Sequence, residues 1–296
     1  MRKEIYIHEN WLFRYHDGTE TTVNLPHTWN GIDGQGGFDS PDYWRGKCSY
    51  TKTIPAFDGR VFIEINGANT VCEVFVNGVY AGSHDNGYSM FRFEITNLLR
   101  EGDNLLEINV DNSANEFLYP QMADFTFYGG LYRDVNIVAV SESHFDLDYY
   151  GGPGIMVTPK PTDCGGATFE IESFVKNIDE NFTVQYAIYD EEGKEVGYAV
   201  RPADAAKTTI FVPDANLWDF ENPYLYTVVA QLQRRNEAYD EIETRAGVRS
   251  FSCDPQEGFF LNGILTPLRG VSRHQDVVYM GKALSLDDHY NDACLI

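Results

Sequence analysis

With 296 residues, 43% of them hydrophobic and 14% aromatic, the chain has apolar material for about two folded domains and is not a disordered polymer. Lys and Arg number 22 against 45 Asp and Glu, a net charge of -23. That balance repels phosphate backbones and anionic bilayers, which excludes nucleic acid and membrane surfaces as natural partners.

The chain opens on Met1-Arg2-Lys3-Glu4-Ile5-Tyr6, two basic residues with no apolar run behind them, and no later stretch reaches the length of a membrane span. Cys48, Cys72, Cys164, Cys253 and Cys294 are scattered, with no CxxC pair and no histidine-rich companion. They read as reduced thiols of a cytoplasmic protein, not as a disulfide frame or a zinc site. Residues 61–65, 71–76, 91–95 and 105–110 are apolar or alternating at strand length, and Asn77-Gly78 marks a two-residue hairpin turn. Short strands at this spacing, without a helical period, predict a β-sandwich or jelly roll ending near Ser143.

Gly151-Gly152-Pro153-Gly154 is a turning connection into a second set of strands, residues 168–175, 184–189, 208–212 and 226–232, with a turn at 191–194. About a hundred residues of this kind suit an immunoglobulin-like sandwich. Near the end, Phe259-Phe260-Leu261-Asn262-Gly263 and the apolar run after it predict a hairpin feeding a buried strand. Its far end carries Arg269, Arg273, His274 and Asp276, as barrel enzymes place polar chemistry at strand ends. Ser285 then caps a helix whose first turn holds Asp287 and Asp288. That helical pattern runs to Ile296 with no closing signal, which is expected of the front part of a longer protein.

Several phrases carry a resemblance. Leu25-Pro26-His27-Thr28-Trp29-Asn30, Tyr43-Trp44-Arg45-Gly46, Phe127-Tyr128-Gly129-Gly130-Leu131-Tyr132-Arg133-Asp134, the stretch 217–228, and Leu268-Arg269-Gly270-Val271-Ser272-Arg273-His274-Gln275-Asp276 follow one another in a fixed order. In that order they resemble glycoside hydrolase family 2, and the last phrase looks most like its β-galactosidase branch. The resemblance implies a mainly β chain: a jelly-roll sugar-binding domain over 1–143, an immunoglobulin-like β-sandwich over 144–252, and over 253–296 the first strand and start of the first helix of a truncated (β/α)8 barrel, a TIM barrel. It also implies that the parent protein hydrolyses terminal β-D-galactosides with retention, β-glucuronidase being the rival. The two catalytic glutamates lie on later barrel strands, so no catalytic residue is assigned here and the 296-residue chain alone is expected to be inactive. A carbohydrate-binding or scaffolding module is the reading from a different class.

Three residues are expected to touch sugar. Asp124 stands among aromatics, where a carboxylate needs partners to offset its desolvation; a sugar offers two hydroxyl donors, while local backbone amides are the alternative. By resemblance Asp124 is the aspartate that the family's jelly roll inserts into the active site, nine residues before Arg133. His274 matches a histidine that serves the sugar pocket in related enzymes, with a structural hydrogen bond as its other role. Asp42, in the glycine-rich stretch 31–43, is a looser match and is either a ligand contact or a solvated loop residue. Arg269 and Arg273 are expected to hold the barrel rim through ion pairs, and His27 and Trp29 to be a packed, hydrogen-bonded pair. No cofactor is evident; Mg or Na in the parent is a family expectation, and a homo-oligomer of the parent is left open, with no feature of the sequence pointing to it.

Overall fold

Alternation of apolar and polar residues places Asn104–Asp111 at the middle of a sheet, because every second side chain must leave water. Leu106, Ile108 and Val110 are fully buried, and each such side chain stabilises the fold by about 1.5–3 kcal/mol. The computed structural model describes residues 1–33, 44–118, 123, 125–205 and 207–296, and these fall into two compact units.

The first unit comprises Lys3–Ala139 and Ser272–Ile296. Its larger sheet has six strands in the order Glu20–Val23, Trp11–Arg14, Lys47–Ile54, Asn104–Asp111, Val71–Val76 and Val79–His84, with each neighbouring pair antiparallel. A four-stranded sheet runs Lys3–Tyr6, Val135–Val140, Arg60–Ile65, Phe91–Glu94. Trp11, Tyr50, Ile63, Val74 and Ile137 share one core between them. The Asn77-Gly78 turn has the two positive φ values, 53° and 77°, that this hairpin type demands.

The second unit comprises Val140–Val271 and Met1–Arg2. Ile155–Pro161, Gly166–Ser173 and Lys207–Pro213 make one sheet; Glu195–Pro202, Phe182–Tyr189, Tyr226–Arg234 and Glu237–Ala246 make the other. Phe169, Tyr186, Ile188, Val228 and Leu232 lie in its core. Among the described residues the carboxylate in this interior is Asp240, fully buried and bonded through both oxygens by Arg2 at 3.0 and 3.2 Å, with the Phe145 and Glu241 amides completing its shell. Burial of that charge is tolerable only with such a full set of donors. Among the described residues no helix is long and apolar enough to cross a membrane.

The fold is nearly all β, with two sandwiches as expected; the last segment departs from expectation. The Asn262-Gly263 hairpin forms between Gly258–Leu261 and Ile264–Leu265, and Asn262 ties it down by donating to the Trp218 carbonyl. The buried strand expected after it does not form: Leu268 and Val271 are exposed, 66% and 69%, and no strand follows Leu265. A parallel barrel strand is held by neighbours on both edges, and none of the described residues supplies one. The helix Leu286–Leu295 does form, with Ser285 as a capping box: its hydroxyl accepts from the Asp288 amide while Asp288 accepts from the Ser285 amide.

Candidate functional site

The segment after Val271 earns its place in the first unit through a few contacts. Ala283 and Leu284 are buried. The Lys282 and Arg133 neighbourhoods interlock, because the Arg133 guanidinium donates to the Lys282 carbonyl at 2.7 Å and to the Gln275 side chain at 2.9 Å. Gly281 adopts φ of 52°, and a Cβ there would come within 2.6 Å of the Tyr128 ring, so a side chain would push the segment off the sandwich.

These contacts create a cleft of about 710 Å³ wholly within the first unit. His274, Asp276 and Arg273 enter it from the returning segment, Tyr88, Phe125, Tyr132 and Arg133 from the sandwich, and Lys282 from between them. His274 meets Phe125 edge to face, 6.3 Å between ring centroids. Phe125 also lies beneath the Lys282 ammonium, 5.3 Å away, while the Tyr88 ring faces the same ammonium at 4.5 Å and its hydroxyl accepts from it at 2.9 Å. Burial pulls the Lys282 ammonium down to about 8; Asp276 opposes that shift and Arg133 adds to it. Asp276 accepts from the Tyr128 hydroxyl at 3.1 Å, and burial together with this carboxylate pushes Tyr128 up to about 12.

Arg273 makes an ion pair to Asp292 on the last helix, with His289 a further partner at 3.2 Å. His27 also differs in detail from expectation: it is packed against Phe13 but bonds Tyr50, not Trp29, at 2.8 Å, and burial lowers it to about 4. Asp124 and Asp42 lie outside the described residues. The structure therefore places one of the three expected sugar contacts, His274, beside Phe125, the sequence neighbour of Asp124. Among the described residues, no group of three His, Cys, Asp or Glu side chains is arranged to hold a metal ion.

Two parts of the site were not anticipated from sequence. Lys282 is a single lysine with no pattern around it, and only the aromatic rings brought to it by folding give it a role. The other is a buried amide network. Asn30 and Asn112 are fully buried. The Asn30 side chain accepts from Asn112 at 3.1 Å and from the Gly129 amide at 2.9 Å, and donates to Asp33 and the Trp44 carbonyl. Asn112 in turn accepts from the Gly46 amide and donates to the Phe127 carbonyl at 2.9 Å. The pair fixes the backbone at Phe127 and Gly129, directly after Phe125.

The profile "Glycosyl hydrolases family 2, sugar binding domain" matches residues 4–141, and "Glycosyl hydrolases family 2" matches 154–249. The chain is 31% identical to a β-glucuronidase of Bacteroides fragilis, over all of this chain and 45% of that protein. It is also 31% identical to a β-galactosidase of Bacteroides ovatus, over 93% of this chain and 35% of that one. A crystal structure of an FMN-binding β-glucuronidase from Facaelibacterium prausnitzii L2-6 superimposes with a TM-score of 0.94 at 53% identity, covering all of this chain and 47% of that one. The chain spans less than half the length of these relatives. Its two sandwiches and their sequence make it a member of glycosyl hydrolase family 2.

Proposed function

We propose that the full-length protein is a retaining β-glycosidase that removes terminal β-D-glucuronosyl residues, and that this chain supplies part of its sugar pocket. The observation that carries the reading is the charge of the cleft. Arg133, Arg273 and Lys282 line it with Asp276 as the acid among its described lining residues, in a chain with a net charge of -23. Arg273 is neutralised by Asp292, but Lys282 has no carboxylate within ion-pair distance among the described residues. An ammonium set against two rings, with a phenol as its hydrogen-bond acceptor among the described residues, gains most from an arriving carboxylate. The 53% identical β-glucuronidase supports the same sugar. A β-galactoside is the second reading, supported by the phrase Ser272-Arg273-His274-Gln275-Asp276 and by the Bacteroides ovatus relative.

In this reading His274 donates to a sugar hydroxyl, the Phe125 ring covers an apolar face of the pyranose, and Asp124 and Asp42 are proposed as further hydroxyl acceptors. Retaining chemistry needs two carboxyl groups about 5–5.5 Å apart; by family resemblance both come from the barrel. The parent is read as cytoplasmic, in keeping with five free cysteines.

The test compares chromogenic β-glucuronide and β-galactoside with the full-length protein and with the 296-residue chain. Turnover of the glucuronide by the full-length protein alone is expected, and His274→Ala should lower its kcat/KM by about 100-fold, the effect of losing a hydrogen bond worth about 2–3 kcal/mol. Preference for the galactoside would reverse the order of the two readings; turnover by the 296-residue chain would refute its assigned part.

A pH dependence follows from Lys282. Its charge is complete only well below about 8 and is lost as pH rises through that value. The KM for the glucuronide is therefore expected to rise above this pH while that for the galactoside stays level, and Lys282→Met should remove the difference. Parallel pH profiles for the two sugars would exclude Lys282 as the carboxylate contact.

A further inference from the structure

The second unit has a groove of its own, about 740 Å³, whose walls include Pro159, Lys160, Trp218, Arg245, Arg249 and Phe251. No acidic residue lines it among the described residues, although acids outnumber bases in the chain by 45 to 22. Lys160 is already paired, with Glu170 at 2.7 Å. Arg245 and Arg249 are exposed and have no carboxylate partner among the described residues. The Arg249 guanidinium carbon lies 4.7 Å from the centre of the Trp218 ring, a cation–π contact on an exposed side chain. Gly247 makes this approach possible, since a Cβ there would come within 3.0 Å of Trp218 Cβ. Trp218 is fixed in turn by its amide, which donates to the Val248 carbonyl at 2.8 Å. Beside the arginines the Phe251 ring is 69% exposed.

We propose that this groove binds an acidic glycan, with hexuronate carboxylates on Arg245 and Arg249 and a pyranose face against Phe251. A guanidinium presents two parallel donors that match a carboxylate, and an exposed ring covers the apolar face of a sugar. Complementarity of charge selects the place: a surface of net charge -23 repels a polyanion almost everywhere, and this groove has two arginines and no acid in its described lining, although Arg245 also adjoins a second groove with Asp190, Glu191 and Glu243. The choice of hexuronate rests on the glucuronide reading above; the groove rests on its own geometry. An acidic protein segment could use the same arginines, but it has no pyranose face to lay on Phe251.

The experiment titrates the full-length protein by calorimetry, with free glucuronic acid present to fill the sugar pocket. The probes are an oligoglucuronate, a neutral β-linked oligosaccharide of equal length, and poly-glutamate. Binding of the oligoglucuronate alone is expected, weakened by added salt. Arg245→Ala and Arg249→Ala should each weaken it at least about fivefold, and Phe251→Ala should weaken it as well. Unchanged unfolding temperatures of the three variants would show that a loss is local. Equal binding of poly-glutamate, with Phe251→Ala without effect, would overturn the proposal in favour of an acidic protein segment; failure of the oligoglucuronate to bind would overturn it outright. Hydrolysis of the small chromogenic sugars is read separately, so a protein that cleaves only galactosides yet binds the oligoglucuronate through these arginines would refute the substrate and leave the groove.

Discussion

Asp240→Ala is expected to cost the second sandwich about 3–5 kcal/mol, the largest effect of any single substitution in that unit, because it strands a nearly buried guanidinium. Arg2 is 11% exposed and its fork is spent on this one carboxylate. The Phe145 amide loses its acceptor at the same time. Asp240→Asn keeps the shape and some of the hydrogen bonds but not the charge, and should fall between wild type and alanine. Trp218, the single tryptophan between Val140 and Val271, reports the transition in a urea titration followed by fluorescence. A loss below about 1 kcal/mol for the alanine variant would mean that the pair behaves as a surface ion pair, contrary to its burial.

The second large effect is expected at the buried amides of the first unit. Asn112→Ala removes one acceptor and two donations at once, leaving the Gly46 amide and the Phe127 carbonyl without their side-chain partner in the interior. Each buried polar group left unmatched costs about 1–3 kcal/mol, so a loss of about 3 kcal/mol is expected, roughly 6–12 °C in Tm. Asn30→Ala should behave alike, since it frees the Gly129 amide and the Trp44 carbonyl. The two losses should not add, because the side chains bond each other. In the full-length protein both variants should also raise KM more than they lower kcat, because the network holds the backbone after Phe125. Fully additive losses, or an unchanged KM in variants that remain folded, would separate the network from the cleft.

The two sandwiches were legible in the sequence because strand signals are local. Val71–Val76 alternates, ends in Asn77-Gly78 and folds as read. Lys3–Tyr6 was not legible: four mostly exposed residues become a strand only by pairing with Val135–Val140, far along the chain. The run Leu268–Val271 shows the converse. Its apolar residues at strand length are a signal for a strand with partners, and among the described residues it has none, so it stays exposed. At the site, His274 could be found by motif, since rare residue types at fixed spacing survive without any three-dimensional knowledge. Lys282 could not, since its value lies in the rings of Tyr88 and Phe125 that folding brings against it. Asn30 lay in plain view within a recognised phrase, but its partner Asn112 is separated from it by most of the sandwich's length in sequence.

The bond between Arg2 and Asp240 has a consequence for the order in which the protein matures on the ribosome. Arg2 is made well before its carboxylate partner among the described residues, which emerges 238 residues later. Strand Lys3–Tyr6 can pair with Val135–Val140 long before that, so this sheet closes while the neighbouring Arg2 still waits. A nascent chain halted between these points would carry a paired Lys3–Tyr6 strand with the Arg2 cation still waiting for Asp240. Release of that cation into the second sandwich would mark the completion of the pair of domains.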